Sequence, residues 1–263
     1  MNRTRHDDEE TNSKRGWRAG VAVALALAYA VLWAGGVAHY LFVGAVAASQ
    51  NWLASAFLAV AGAIVLSTAA ARADFLRLLA VAVFGLLVEW CGVYYDWPFG
   101  RYAYTGVLRP TVAGVPVVMA CAWLTLVAYV QQATLRFSLP PWRGALVGAA
   151  WMTAIDLVID PLAANQLGYW RWVERGVYYG VPFSNFAGWF VVSLVIFALL
   201  RQPRRANAWH RFVGVSIILF FALIALSFQL WTAALVGFGL CALDVLPDAR
   251  RRRSTQRRRS TQP

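Results

Sequence analysis

The sequence predicts an all-α fold, a polytopic membrane helix bundle of seven or eight transmembrane helices, and three observations predict it. Hydrophobic residues make up 60% of the chain and charged ones 14%, with a mean hydropathy of +0.55, a balance that separates multi-pass membrane proteins from soluble domains. The apolar residues fall in runs close to the ~20 residues that cross a bilayer. The basic residues collect at alternate connections between those runs, as the positive-inside rule requires.

Taken in order, spans are expected near Ala19–Val43, Trp52–Ala71, Phe75–Tyr94, Val112–Leu135, Trp142–Leu162 and Asn185–Leu200. The first follows a basic lead and precedes Ala45-Val46-Ala47, a small-residue pattern that also suits a cleaved signal peptide. Its apolar core of about 25 residues exceeds the roughly 7–15 of such a signal, so a retained span is expected. The last apolar stretch, Phe212–Leu243, has 32 residues. That is long for one crossing and short for two, which need about 40.

Arginines and lysines decide between those counts. Five lie in the N-terminal segment, two in the second connection (Arg72, Arg77), two in the fourth (Arg136, Arg143) and four in the sixth (Arg201, Arg204, Arg205, Arg211). The third and fifth connections hold only Arg101, Arg109, Arg171 and Arg175, and the C-terminal tail holds seven. With eight crossings the two sides carry 20 and 4, and with seven they carry 13 and 11. The rule prefers eight short or tilted crossings, with both termini cytoplasmic in a multi-pass protein of the cell membrane. The expected organisation is a basic, disordered segment 1–18, a transmembrane catalytic domain 19–246 and an Arg-rich disordered tail 247–263. Such a tail suits anionic membrane lipid, at up to about 1 kcal/mol per residue, rather than nucleic acid. Cys91, Cys121 and Cys241 are scattered in apolar sequence and read as small core residues, not as a disulfide framework.

One pattern occurs twice. Glu89 near a span end is followed by Gly100-Arg101-Tyr102-Ala103-Tyr104, then Gly114-Val115-Pro116 and Trp123. Asp156 and Asp160 are followed by Gly168-Tyr169-Trp170-Arg171-Trp172, then Gly180-Val181-Pro182 and Trp189. In both copies the Trp stands seven residues after the Pro. Carboxylates within a bilayer cost roughly 2.5–3.5 kcal/mol each, so acids at matching places point to a site.

Under either count the third and fifth connections share one membrane side, the non-cytoplasmic one. Glu89, Asp96, Asp156, Asp160 and His39 therefore lie at similar depth beneath two aromatic loops. Each has a plainer reading. Glu89 could bond a neighbouring helix, and His39 could be a satisfied interface histidine. Asp156 and Asp160, spaced i, i+4 on one helix face, could pair with Arg101 or Arg171. Asp160 precedes Pro161, where helices often end. Asp96 could be solvated at the span boundary. Ser184 and Asn185 could cap a helix, the tyrosines and tryptophans could be interface anchors, and Gly-Val-Pro could mark a turn before a helix. Convergence favours a site: about a dozen aromatics (Tyr94, Tyr95, Trp97, Phe99, Tyr102, Tyr104, Tyr169, Trp170, Trp172, Tyr178, Tyr179 and Phe183) surround four acids. The expected substrate-binding residues are Asp96, Phe99, Tyr102, Tyr104, Trp123, Trp170, Trp172, Tyr179, Asn185 and Trp189. No phosphate-cradling Gly-rich loop, paired CxxC, HExxH or GxSxG appears, which argues against nucleotide use, zinc chemistry and serine hydrolysis.

Acids among aromatics suit carbocation chemistry. A carboxylic acid in an apolar site can stay protonated at neutral pH and protonate even a carbon–carbon double bond. Aromatic faces stabilise the resulting cation by about 2 kcal/mol or more when desolvated. A second, ionised carboxylate can act as general base on the attacking water. An apolar, membrane-borne isoprenoid would suit such a site. The expected catalytic residues are Glu89, Asp156 and Asp160, with Asp156 or Asp160 as acid and Glu89 as its partner.

The run Glu89…Gly92, Pro98-Phe99-Gly100-x-Tyr102-x-Tyr104, Gly114-Val115-Pro116, Ala122-Trp123 resembles the membrane carotenoid biosynthesis proteins of the carotenoid 1′,2′-hydratase (bisanhydrobacterioruberin hydratase) type. Asp156, Asp160-Pro161, Gly168, Trp170-x-Trp172, Tyr178-Tyr179-Gly180-Val181-Pro182, Asn185-Phe186 and Gly188-Trp189 continue the resemblance, which covers roughly residues 84–200. It implies hydration of the terminal double bond of a carotenoid's acyclic ψ end to a tertiary alcohol. It also implies a carotenoid substrate and no redox cofactor, and no cofactor, metal or nucleic acid partner is expected. Two other classes stay open. A membrane prenyltransferase would use Asp156-x-x-x-Asp160 as half of a magnesium–diphosphate site, and a proton-coupled transporter would use the acids as a relay. Oligomeric state is not legible in the sequence.

Overall fold

The computed structural model describes residues 2–44, 48–200 and 205–245. Arg201, Arg204, the Ala45–Ala47 triplet and the tail 247–263 lie outside the described residues. Among those described there are eight α-helices: α1 (Asn2–Phe42), α2 (Trp52–Ser67), α3 (Arg72–Tyr95), α4 (Met119–Leu135), α5 (Pro141–Asn165), α6 (Phe183–Leu199), α7 (Ala208–Ser227) and α8 (Trp231–Val245). Four short strands, β1 (Tyr102–Tyr104), β2 (Thr111–Val112), β3 (Val115–Pro116) and β4 (Trp170–Trp172), lie in the connections. This is the helix bundle expected. Gly20–Phe42, Arg72–Tyr95, Pro141–Asn165 and Ala208–Ser227 are long and apolar enough to cross a membrane, and α2, α4, α6 and α8 are shorter apolar helices of 15–17 residues.

Three expected boundaries shift, and the last apolar stretch divides as eight crossings require. α1 begins at Asn2, ahead of the expected span start at Ala19. Extending an existing helix avoids the nucleation cost. The stretch Phe212–Leu243 divides at Phe228-Gln229-Leu230, where Gln229 takes φ 59, into α7 and α8. The run beginning at Val112 is not helical until Met119, because residues 111–116 form the hairpin β2–β3. α5 runs through Pro161 to Asn165, past the expected end at Leu162. Proline has no N–H for the carbonyl four residues back, which here is Leu157. That carbonyl instead accepts a hydrogen bond from the Tyr178 hydroxyl at 3.0 Å.

α4 is the central element. Trp123, Leu124, Val127, Ala128, Tyr129, Val130 and Ala133 are all buried, and α2, α3, α5 and α7 pack around it. α3 is two-faced. Leu79, Val83, Leu87 and Trp90 are exposed, as a lipid-facing stripe would be, while Leu78, Ala82, Gly85, Glu89 and Gly92 form the buried one. That periodicity turns Glu89 inward.

At one end of the bundle, Asp244 of α8 binds Arg136 (3.0 Å), which follows α4, and Arg211 of α7 (2.7 Å). Arg136 also donates to the carbonyls of Leu243 and Asp244. The close of α8 and the start of α7 therefore meet, which makes α7 and α8 an antiparallel pair.

Candidate active site

At the opposite end the two copies of the repeated pattern pair with each other. β1 and β4 run antiparallel with Tyr102 opposite Trp172, Ala103 opposite Arg171 and Tyr104 opposite Trp170. Side chains alternate along a strand, and opposed residues share a face. The pairing thus gathers two tyrosines and two tryptophans on one side and sends Ala103 and Arg171 to the other. Each Gly-Val-Pro closes a two-residue hairpin. Ala113-Gly114 (φ 47 and 74) joins β2 to β3, and Tyr179-Gly180 (φ 49 and 81) joins the bridge between Tyr178 and Val181. Two successive positive φ values mark a type I′ turn, which favours glycine at its second position. α4 begins three residues after Pro116 and α6 directly after Pro182. The first loop is seated on α6 by the Ser184 hydroxyl, which donates to the Phe99 carbonyl at 3.0 Å.

The gathered aromatics bond the acids. Glu89 Oε2 accepts from Tyr102 (2.6 Å) and Tyr104 (2.7 Å), and Oε1 accepts from Trp123 Nε1 (2.9 Å). Asp160 Oδ1 accepts from Trp170 Nε1 (2.7 Å) and Trp172 Nε1 (3.2 Å). Asn185 Nδ2 donates to Oδ2 of both Asp160 and Asp156, at 2.6 Å each. Glu89, Asp156 and Asp160 are respectively 4%, 3% and 1% exposed, and none is paired with an arginine or lysine among the described residues. Their partners are neutral donors. Burial, followed by the nearby Glu89 carboxylate, holds the Tyr102 and Tyr104 phenols well above their usual range, so both stay protonated. The two tryptophans seven residues past the prolines, Trp123 and Trp189, stack with ring centroids 4.4 Å apart and planes 11° from parallel.

Two spaces adjoin this cluster. A chamber of about 450 Å³ lies between α1, α2, α4, α5 and α7, walled by apolar and aromatic side chains such as Phe57, Leu126 and Phe220, with Asp156 in its wall. A space of about 30 Å³ lies between Glu89 and Asp160 and is lined also by Phe99, Tyr102, Tyr104, Trp172 and Asn185. Met119, Trp170 and Trp189 line both.

Of the residues expected at the site, Glu89, Phe99, Tyr102, Tyr104, Trp123, Asp156, Asp160, Trp170, Trp172, Asn185 and Trp189 come together. Two do not. Asp96 is the left-handed cap that ends α3 and pairs with Arg101 at 2.8 Å on the surface, away from both spaces. Tyr179 occupies the hairpin turn, and its hydroxyl bonds Thr232 at the start of α8. Arg101 and Arg171 bond neither Asp156 nor Asp160. Sequence reasoning missed Met119 and Thr125, whose buried hydroxyl on the chamber wall has no hydrogen-bond partner among the described residues. The repeat could have found Met119: it stands three residues after Pro116, as Asn185 does after Pro182. The chamber walls from α1 and α2 lie outside the repeat and carry no such signal.

The family model described as carotenoid biosynthesis protein matches residues 50–244. Bisanhydrobacterioruberin hydratase of Haloarcula japonica is 30% identical over 195 residues, an alignment covering 64% of this chain and 63% of that protein. The chain thus spans less than two thirds of that relative's length. No solved structure matches. The matched region takes in α2 to α8 with both aromatic loops and the buried Glu89, Asp156 and Asp160, and the chain belongs to the carotenoid biosynthesis protein family.

Proposed function

We propose that this membrane protein hydrates the terminal 1′,2′ double bond of an acyclic carotenoid ψ end to a tertiary alcohol. The observation that carries the reading is Asp156, a buried carboxyl group with no basic partner in the wall of an apolar, aromatic chamber. The chamber lies within the usual range of ligand cavities, about 300–1,000 Å³, and suits the end of an isoprenoid. Asp156 is assigned as acid because it faces the chamber, whereas Glu89 and Asp160 face the smaller space. Its proton forms a C–H bond at C2′ and leaves positive charge on the doubly methylated C1′. Trp170 and Trp189 in the chamber wall supply aromatic surface to stabilise that charge. Water adds to C1′ and loses a proton to Glu89 or Asp160 acting as general base. The hydratase named among the relatives supports the same direction of reaction.

The reading places the protein in the cell membrane with both termini cytoplasmic and the site in the non-cytoplasmic half, as the basic residues favour. Expression in lycopene- and γ-carotene-producing hosts, followed by mass analysis, tests the function. A product heavier by one water is expected, and Asp156→Asn should abolish it. No such product in either host, with the protein present in the membrane, would end the hydratase reading. Undiminished hydration by Asp156→Asn would end only the assignment of the acid.

A further inference from the structure

We propose that the space between Glu89 and Asp160 is a water subsite, and that it commits the substrate cation to an alcohol instead of a shifted alkene. The proposal rests on the hydration reading above and says where the water is held. About 30 Å³ is room for a water, which needs about 10–15 Å³ and two to four polar partners. The hydrogen-bond inventory supplies two. An ionised carboxylate offers about four lone-pair sites. Glu89 has two engaged on Oε2 by Tyr102 and Tyr104 and one on Oε1 by Trp123, which leaves one on Oε1. Asp160 has two engaged on Oδ1 by Trp170 and Trp172 and one on Oδ2 by Asn185, which leaves one on Oδ2. A water donating one O–H to each carboxylate fills both places and keeps its oxygen lone pairs for attack.

The wall toward the chamber is unequal. Trp170 is held by its bond to Asp160, and Trp189 by its stack on Trp123. Met119 has neither tie, and an unbranched thioether adapts readily. Met119 is therefore the part of the wall that yields and sets how water meets the cation.

The cation at C1′ has two fates. In one, a C–O bond forms to the water, one O–H bond breaks, and the proton goes to Glu89 or Asp160. Its return to Asp156, one helical turn from Asp160, restores the acid, so alkene plus water gives alcohol. In the other, Asp156 carboxylate takes a proton from a carbon beside C1′ and an alkene is regenerated. In D2O the first fate gives deuterated alcohol and the second gives deuterated alkene, because the acid proton has exchanged.

The test is the ratio of those products from lycopene, using membranes that carry the full chain in D2O. Misfolding lowers both products together and leaves their ratio unchanged. Met119→Phe fills the water space and should lower the alcohol-to-deuterated-alkene ratio about tenfold or more, since misplacing a reacting group by ~1 Å can cost about a hundredfold. Met119→Ala widens the opening and should move the ratio the other way or leave it at the wild-type value. An unchanged ratio in Met119→Phe overturns the proposal. So does loss of both products by both variants when each is present, folded, in the membrane at the wild-type level, because the wall would then not be separable from the acid step. Wild-type membranes that form deuterated alkene but no alcohol would instead overturn the hydration reading itself.

Discussion

Replacing Asn185 with leucine removes the joint between the two aspartates while keeping similar volume. The Asn185 amide donates both hydrogens, one to Asp156 Oδ2 and one to Asp160 Oδ2, each at 2.6 Å in buried surroundings. Asp160 keeps two indole donors after the change, but Asp156 loses its one partner. A hydrogen bond to a charged group contributes about 1.5–3 kcal/mol net and a neutral one about 1 kcal/mol. With one aspartate ionised and the other protonated, the loss is about 2.5–4 kcal/mol. Two readouts should move together. Thermal unfolding of the detergent-solubilised protein, followed by tryptophan fluorescence, should shift down, and product formation should fall at temperatures where the variant is still folded. Asn185→Ala, which adds a cavity, should be worse in stability and similar in activity. A folded Asn185→Leu protein with wild-type product formation would refute the idea that Asn185 positions the acid.

Three further outcomes follow from the same geometry. Asp244→Ala strands the buried Arg136 and should cost about 3–5 kcal/mol, whereas replacing Arg136 and Asp244 together with apolar residues should recover much of it; paired unfolding measurements decide. Tyr178→Phe leaves the Leu157 carbonyl without its donor and should cost about 1 kcal/mol. The loss should disappear in a Pro161→Ala background, where the restored N–H takes that carbonyl, and a double-mutant cycle reads the coupling. Thr125→Val removes a buried hydroxyl that lacks a partner and should stabilise the protein by about 1 kcal/mol in the same unfolding assay.

The parts of the site that were legible were those the sequence states twice. Equal Pro-to-Trp spacing in both copies becomes the Trp123–Trp189 stack, because each Trp leaves a helix two turns past an equivalent turn. The aromatic triplets become partners because their loops share one end of the bundle. What stayed hidden depended on a single distant atom or on unrepeated sequence. Asp96 and Asp160 both look like acids at a helix end. Asp160 lies in a helix that continues through Pro161, where the Leu157 carbonyl accepts from the Tyr178 hydroxyl, 21 residues further along the chain. The hairpin after Thr111 was hidden by an apolar run whose turn is Ala113-Gly114, without the Asn or Asp that usually signals one.

The repeat also carries an asymmetry that bears on mechanism. Paired positions in the two strands hold Tyr against Trp, so Glu89 is held by two hydroxyls and an indole, and Asp160 by two indoles and an amide. A hydroxyl can accept a hydrogen bond as well as donate one, whereas an indole N–H only donates. A proton arriving at Glu89 can therefore be accommodated by rotating Tyr102 or Tyr104. At Asp160 it meets fixed donors on Oδ1 and can sit only on Oδ2, the oxygen that shares Asn185 with Asp156. If Asp160 receives the water's proton in the proposed hydration, it is held on the side from which Asp156 is recharged, so on that reading the two halves of the repeat hold one carboxylate that tolerates the proton and one that passes it on.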